Sequence, residues 1–543
     1  MGKLLVMTQF RKISTDVLIV GAGPAGLMAA CQLAIHHIPF RIIDKNSYSS
    51  QSSGALIVQA RSLEIFQQMG IASEAISEGV IAGKVNILYN GKKITGTGIN
   101  DLGETLSQFP FLLMLEQSIT EKLLIKFIND RGYSVDREAQ LKSFSQGEDG
   151  VTSIVTDSDH SEYQVISKYI IAADGANSTI RNLLDIPFEG KSYPNSIFIV
   201  DCKADTGLFP DEISFAFSDS SVAGFFPIRG SRWRIDGNLP LEYEKDQKLT
   251  FDVVEKNFQE WTKVNIQFQR EDWFSVTRSH QKYAASIHIR NCFLIGDAAH
   301  IHTPVGAQGM NTGLQDAYNL AWKIAFVIKK GANPYLLETY SSERLGISKG
   351  FARYTDTIFR VLTSGNFTAG FFRKYVLRLF FMFLFPQISR VTTFRHRFFK
   401  AISQIDIHYR SSILSYQKRG LNFLSSGPVP GDRFPYLNFN RTTNSRSLYE
   451  ESHPSSFSLV ILSESIPDEL RQIAENYELK IVLIPNRPET KLVYRQLGIL
   501  KTGWYLIRPD MYIALKSVNL NKNHLNLYLN SLLTNYRVIG PDD

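Results

Sequence analysis

A short apolar run, Asp16 to Val20, leads directly into Gly21-Ala22-Gly23-Pro24-Ala25-Gly26, and a helical pattern follows from Ala25 to His36. Three glycines at this spacing between a strand and a helix leave few folds open. The first permits the tight turn, the second lets a pyrophosphate approach the backbone, and the third allows close helix packing. The anion would rest on the helix N-terminus, where free N–H groups and the helix dipole favour it. A second strand, Pro39 to Ile43, ends at Asp44, eighteen residues after Gly26. A carboxylate there can accept hydrogen bonds from an adenosine ribose. The pattern is a βαβ unit and predicts a dinucleotide held by Gly21, Gly23, Ala25, Gly26 and Asp44; by itself it does not separate FAD from NAD.

Composition narrows the class. The chain has 543 residues, 44% hydrophobic and 20% charged, which is ordinary globular usage and excludes a disordered or fibrous protein. A net charge of +7 with no block of five like charges gives little support for a nucleic-acid partner. Cys31, Cys202 and Cys292 are far apart, with no CxxC pair and no zinc spacing, so a reducing compartment and no metal are expected. The N-terminal Leu4 to Met7 run is too short for a signal-peptide core, and Leu379 to Pro386 is well short of the ~20 residues needed to span a bilayer. A cytoplasmic protein without stable membrane insertion is the expectation.

Along the chain the pattern divides into five stretches. Residues 1–182 read as the first part of a Rossmann-like α/β domain. Residues 183–273 shift to short strands (Ile197 to Val200, Glu212 to Phe217, Trp233 to Ile235) and read as an inserted β-rich lobe. At 274–345 the α/β pattern returns, with a strand from Cys292 to Ile295 and a helix starting near Thr312. Residues 346–426 are Phe- and Arg-rich and helical, suited to a substrate pocket, a dimer interface or a membrane surface, with burial the favoured reading. Gly427-Pro428-Val429-Pro430-Gly431 breaks this pattern. The last stretch, 427–543, has a strand-helix-strand-strand-strand-helix order that resembles a thioredoxin-like domain, without cysteines and therefore without redox chemistry.

Two further segments decide the cofactor. Ala173-Asp174-Gly175-Ala176-Asn177-Ser178-Thr179-Ile180-Arg181 follows an apolar strand, and Gly296-Asp297-Ala298-Ala299-His300 leads into Pro304-Val305-Gly306-Ala307-Gln308-Gly309-Met310-Asn311. With these, the sequence resembles the class A flavoprotein aromatic monooxygenases, the para-hydroxybenzoate hydroxylase family. The nearer subgroup is that of phenol, pentachlorophenol and hydroxyphenylpropionate hydroxylases, which carry a thioredoxin-like C-terminal domain. Pro430-Gly431-Asp432-Arg433 and Trp504 to Asp510 fit that subgroup.

The resemblance implies a Rossmann-like FAD-binding domain and hydroxylation of a phenolic or polycyclic aromatic substrate with O2 and NADPH or NADH, through a flavin C4a-hydroperoxide. It gives Gly296 and Asp297 to the ribityl chain of FAD, and Asp174 and Arg181 to the pyrophosphate and the NAD(P)H path, with Asp174 also holding local structure. Gln117 would contact the cofactor, and Arg61 would either contact it or simply brace the fold. Pro304, Gly309, Met310 and Asn311 would line the flavin where oxygen reacts, so Pro304, Gly309 and Met310 stand as the catalytic positions. Backbone N–H groups of that loop can stabilise negative charge at the flavin N1/O2 edge. The subgroup also suggests a dimer. A related enzyme acting on a quinone precursor or antibiotic, and a flavin-binding scaffold without turnover, are the alternatives.

Two departures from the family pattern stand out. Gly54 replaces an arginine that meets the cofactor in relatives, which leaves two readings: weaker FAD binding, or substitution by Lys45 or another cation. Ala307 stands where relatives have glycine. His280, Lys282, His300 and His302 read as structural. Tyr193 and Tyr283 are two of 23 tyrosines that could meet a substrate phenol, and the substrate base is left unassigned.

Overall fold

The computed structural model describes residues 11–49, 54–218, 221–239, 249–303, 306–347, 350, 375–376, 378–415, 427–437, 452 and 454–533. Its first strand, β1 (Arg11–Val20), is followed by helix α1 (Pro24–Ile35) and β2 (Phe40–Asp44), the βαβ order read from the glycine motif. Pro24 opens α1, where its missing N–H costs nothing. Helix α2 (Ala60–Met69), strands β3 (Lys84–Tyr89) and β4 (Lys92–Gly98), helix α3 (Gln117–Asn129), β5 (Val135–Arg137) and β6 (Glu162–Ala172) come next. Strand β1 pairs in parallel with β2 on one side and β6 on the other, and β2 pairs in parallel with β5. Val17, Leu18, Ile19, Ile42, Ile43, Ile170 and Ile171 are all buried, as both faces of a parallel sheet require.

The lobe is built from β7 (Phe188–Asp205), β8 (Glu212–Phe217), β9 (Val222–Ile228), β10 (Arg232–Asn238), helix α4 (Phe251–Thr262) and β11 (Gln267–Ala284). Two of these strands run eighteen residues, longer than the short strands read from sequence. The sheet also extends past 183–273: β11 continues to Ala284, and β3 pairs in parallel with β8 and carries β4 at the sheet edge. Strand β12 (Cys292–Leu294) then returns to the first sheet beside β6. After it, β13 (His300–Ile301) pairs with β11, and helix α5 (Gln308–Lys330) follows.

Helix α5 begins at Gln308, four residues before the expected start, so Gly309, Met310 and Asn311 form its first turn. Helices α1 and α5 approach closely where Ala25, Gly296 and Gly313 meet: a Cβ on Gly313 would lie 3.1 Å from the Gly296 Cα and 3.2 Å from the Ala25 Cβ. Ala25 therefore packs the two helices together.

The aromatic segment is only partly buried within this chain. Its inner side does pack, with Phe381 stacked on Phe217 at 6.1 Å between ring centroids. Val376, Leu379 and Phe383 are nonetheless exposed; Phe372 lies outside the described residues. No helix among the described residues is long and apolar enough to cross a membrane.

The C-terminal sheet comprises β14 (Ser458–Leu462), α6 (Asp468–Asn476), β15 (Lys480–Ile484), α7 (Lys491–Leu497), β16 (Gly503–Ile507), β17 (Ile513–Ser517) and α8 (Asn523–Leu533). Its strand order is β15-β14-β16-β17, with only the β14/β15 pair parallel. Helix α7 was not read from the sequence. This unit joins the nucleotide domain through buried charge: Arg508 donates two hydrogen bonds to Glu343, at 2.6 and 2.9 Å, and Lys323 of α5 donates to the same carboxylate at 2.7 Å.

Candidate functional site

The glycine turn has the geometry its sequence demands. Gly21 has φ 103°, and a Cβ there would fall 2.2 Å from the Ala173 carbonyl oxygen; a Cβ on Gly26 would fall 2.0 Å from the carbonyl oxygen of Gly21. A Cβ on Gly23, by contrast, would meet nothing within 4 Å. That empty cradle at the mouth of α1 fits a phosphate. Asp44 accepts hydrogen bonds from the N–H of Ala22 at 2.7 Å and of Asn46 at 2.8 Å, which ties the end of β2 to the turn.

An open cleft of about 610 Å³ runs from this turn past Asp44, Asn46, Tyr48, Gln117 and Arg137 to Asp272 and Trp273 of the lobe. Lys45 is exposed and is not part of its lining. The cation in the cleft is Arg137 of β5, 3.9 Å from the Asp44 carboxylate and donating to the Tyr48 carbonyl at 3.3 Å. It gave no sequence signal, because a lone arginine at the end of a three-residue strand belongs to no motif.

Gln117 lines the cleft, and its side chain is already engaged. Its Oε1 accepts from the Ala55 N–H at 3.0 Å, and its Nε2 donates to Glu121 at 2.9 Å. A Cβ on Gly54 would lie 3.0 Å from that same Oε1, so a larger residue at 54 requires the Gln117 amide to shift.

Asp297 is exposed to solvent, between the buried Gly296 and Ala298, and the protein packed around its carboxyl still desolvates it. Burial pushes its carboxyl above the ordinary value, and the charge of His300 opposes this. Below it, Asp316 accepts from Arg344 at 2.7 Å, from His300 Nε2 at 2.6 Å and from the Gly296 N–H at 3.1 Å. Burial raises the Asp316 carboxyl, and His300 and Arg344 more than reverse that, so it is held as a carboxylate. His300 and His302 thus belong to a supporting hydrogen-bond chain.

The first turn of α5 faces open space. A Cβ on Gly309 would meet nothing within 4 Å, Met310 is half-buried, and no side chain caps the helix. Pro304 lies outside the described residues. Asn311 is fully buried and fully committed: it accepts from the Gln59 N–H at 2.9 Å and the Ser62 hydroxyl at 2.7 Å, and donates to the carbonyls of Ile57 and Ala307. It holds the turn in place and has no side-chain capacity left for a cofactor.

Two arginines are held by partners within the protein, Arg61 in the bracing role. Arg61 is 1% exposed, pairs with Glu64 at 3.1 Å and donates to the Asp510 carbonyl at 2.8 Å, so it braces the C-terminal unit. Arg181 is buried, donates to the carbonyls of Ala298 and Ala176, and lies 3.8 Å from the Phe188 ring centroid. It positions the backbone next to Asp297. Asp174 likewise accepts from the N–H groups of Thr179 and Ile180, closing the turn that carries Arg181. Tyr193 donates to Gln281 at 2.6 Å.

The FAD binding domain family matches residues 14–355. A 6-methylpretetramide 4-monooxygenase of Streptomyces rimosus is 28% identical over 533 residues, covering 95% of this chain and 93% of the relative. The pentachlorophenol 4-monooxygenase of Sphingobium chlorophenolicum is 27% identical, covering 92% of this chain and 93% of its own length. Among solved structures, the flavin-dependent monooxygenase PieE, in complex with FAD and substrate, superposes with a TM-score of 0.79 at 21% identity, over 96% of this chain and 100% of that one. The OxyS anhydrotetracycline hydroxylase of Streptomyces rimosus gives 0.75 at 25% identity, over 96% and 99%.

Proposed function

We propose, from the premise that this chain belongs to the FAD binding domain family, that it is a flavoprotein monooxygenase that hydroxylates a phenolic or polycyclic aromatic compound, with NADPH or NADH as reductant. The observation that carries the reading is the pairing of two open positions, at Gly23 and at Gly309, with a solvent-exposed Asp297 and N-termini on α1 and α5 that no side chain caps. These residues fit a long, anionic, two-ended cofactor. Bound FAD would supply hydride acceptance and the activation of O2.

The chain's own residues supply position and field. Gly23 and the first N–H groups of α1 would receive the pyrophosphate, with Asp44 and Arg137 at the adenosine end and Asp297 on the ribityl hydroxyls. The free N–H groups at the start of α5 would direct positive potential at the edge of a bound flavin that gains negative charge on reduction. Asn311, held from four directions, keeps that turn rigid, so little reorganisation is needed when charge develops. The lobe contributes Asp272 and Trp273 to the wall of the open cleft.

Two relatives are named as monooxygenases of 6-methylpretetramide and of pentachlorophenol, which supports the substrate class. The test is anaerobic reduction of the FAD-reconstituted protein by NADH and by NADPH, with a panel of phenols, naphthols and polycyclic aromatics. Strong acceleration by one compound, followed by its hydroxylation in air, is the expected result. FAD binding without reduction in any condition would instead favour a scaffold.

A further inference from the structure

The two faces of the lobe sheet differ in what they carry. Trp233 and Ile235 of β10 pack with Phe225, Phe198 and the α4 residue Phe258 in one apolar cluster. Alternation along β10 therefore puts Arg232, Arg234 and Asp236 on the other face. That face looks toward the nucleotide domain. Phe226 and Phe215 pack against its core, Arg232 reaches Glu116 just ahead of α3 at 3.2 Å, and Trp273 lines the cofactor cleft.

Arg234 on this face is satisfied by the bidentate Asp201 pair, at 2.8 and 2.7 Å. Asp236, two residues on, is not. Its register partners are Ile199 on β7 and Gly224 on β9, neither of which brings a polar side chain. Its Oδ1 is wholly shielded and has no hydrogen-bond partner. A carboxylate left in this state costs free energy unless something else satisfies it, and the surface it faces is the one against which an aromatic ring would lie.

We propose that Asp236 is the base that takes the hydroxyl proton of an un-ionised phenolic substrate bound between β10 and the cofactor. This rests on the monooxygenase reading above. In the step, the substrate O–H bond breaks, its electron pair stays on the substrate oxygen, and a new O–H bond forms at Asp236 Oδ2, the carboxylate oxygen of this half-buried residue that is not shielded. The resulting phenolate is richer in electrons at its ortho and para carbons, the positions that accept an electrophilic oxygen. Arg234 stays beside the pair, so negative charge moves from carboxylate to phenolate without leaving the reach of a cation.

The charged groups around Asp236 are Arg234 on its own strand and Asp201 on β7, with Glu116 acting on Arg234 from the nucleotide domain. Burial pushes the Asp236 carboxyl up to about 7, Arg234 working against this and Asp201 with it. The carboxylate is present above that pH and is lost as pH falls through it, in the range where a general base works best.

The test compares FAD-loaded wild type with Asp236→Asn, using NADPH oxidation stimulated by a series of phenols of graded acidity between pH 5 and 9. Asp236→Asn should lower the stimulated rate by about a hundredfold for weakly acidic phenols. It should cost little with nitrophenols, which ionise unaided, and the inflection near pH 7 should vanish. FAD affinity should not change. An equal loss across the series, or an unchanged pH profile, would overturn the assignment and leave Asp236 as a counter-charge to Arg234. Failure of every phenol to stimulate the wild type is a different result: it would remove the monooxygenase reading and the role of Asp236 with it.

Discussion

The Asn311 side chain donates to the Ala307 carbonyl at 3.0 Å, clasping the first turn of α5 to a residue whose own backbone is left-handed, at φ 52° and ψ 44°. A β-carbon in that region costs roughly 1–2 kcal/mol. Glycine avoids this cost but brings about 0.5–1 kcal/mol more backbone entropy to lose on folding. Ala307→Gly should therefore stabilise the protein by about 0.5–1 kcal/mol, seen as a higher urea midpoint with an unchanged slope. A lower midpoint would show that the methyl group packs favourably enough to outweigh the strain.

Arg137 is the cleft's cation where Lys45 points to solvent. A charge-assisted hydrogen bond contributes about 1.5–3 kcal/mol, so Arg137→Gln should weaken FAD binding by roughly tenfold or more, while Lys45→Gln should leave it nearly unchanged. Fluorescence titration of the apoprotein with FAD reads both. The reverse ranking would return the role to Lys45.

What was legible in the sequence was local. The turn at Gly21 and Gly26 needs glycine for contacts within a strand-turn-helix, and the helix Asp468–Asn476 announces itself by its own periodicity. The roles of the arginines were not legible, because Arg61 finds its carbonyl partner 449 residues away and the Arg508 partner Glu343 is 165 residues away. The start of α5 was hidden for a different reason: Gly309 reads as a helix breaker, and only tertiary clasps from Gln59 and Ser62 hold Asn311 in a helical turn. The long lobe strands were read as short because Gly190 and Pro194 interrupt the β7 pattern and register shifts divide its ladder with β11. Asp236 carried no motif at all.

Glu343 joins three segments in a fully buried cluster, with Lys323, Arg508 and the Ser412 hydroxyl all donating to it. The neighbouring positive charges hold its carboxyl well below the usual range against the effect of burial. Removing one partner from such a cluster typically costs about 3–5 kcal/mol, because the charges left behind stay buried. Glu343→Leu should lose at least this much, and a chain ending before Gly427 should fail to retain FAD, since Arg508 and Asp510 leave with it. Chemical denaturation measures the first and cofactor retention on gel filtration the second. A truncated chain that binds FAD normally would show that the C-terminal unit is dispensable.

His302 gives the pH dependence a sign. Its Nε2 meets His300 Nδ1 at 3.1 Å, and its Nδ1 is shielded without a partner. Burial first, then the charge of His300, holds its pKa down to about 3 against the pull of Asp316. An unfolded histidine titrates near 6.5, so between these values the unfolded chain binds the extra proton and stability falls as pH falls. The carboxyls of Asp297 and Asp174 are shifted upward by desolvation and act in the opposite sense. The contribution of His302 is isolated by comparing wild type with His302→Gln. The variant should lose less stability than wild type between pH 6.5 and 4 in urea titrations, and the two curves should run parallel above pH 7. Parallel curves throughout would mean that solvent reaches the ring well enough to charge it in the folded state.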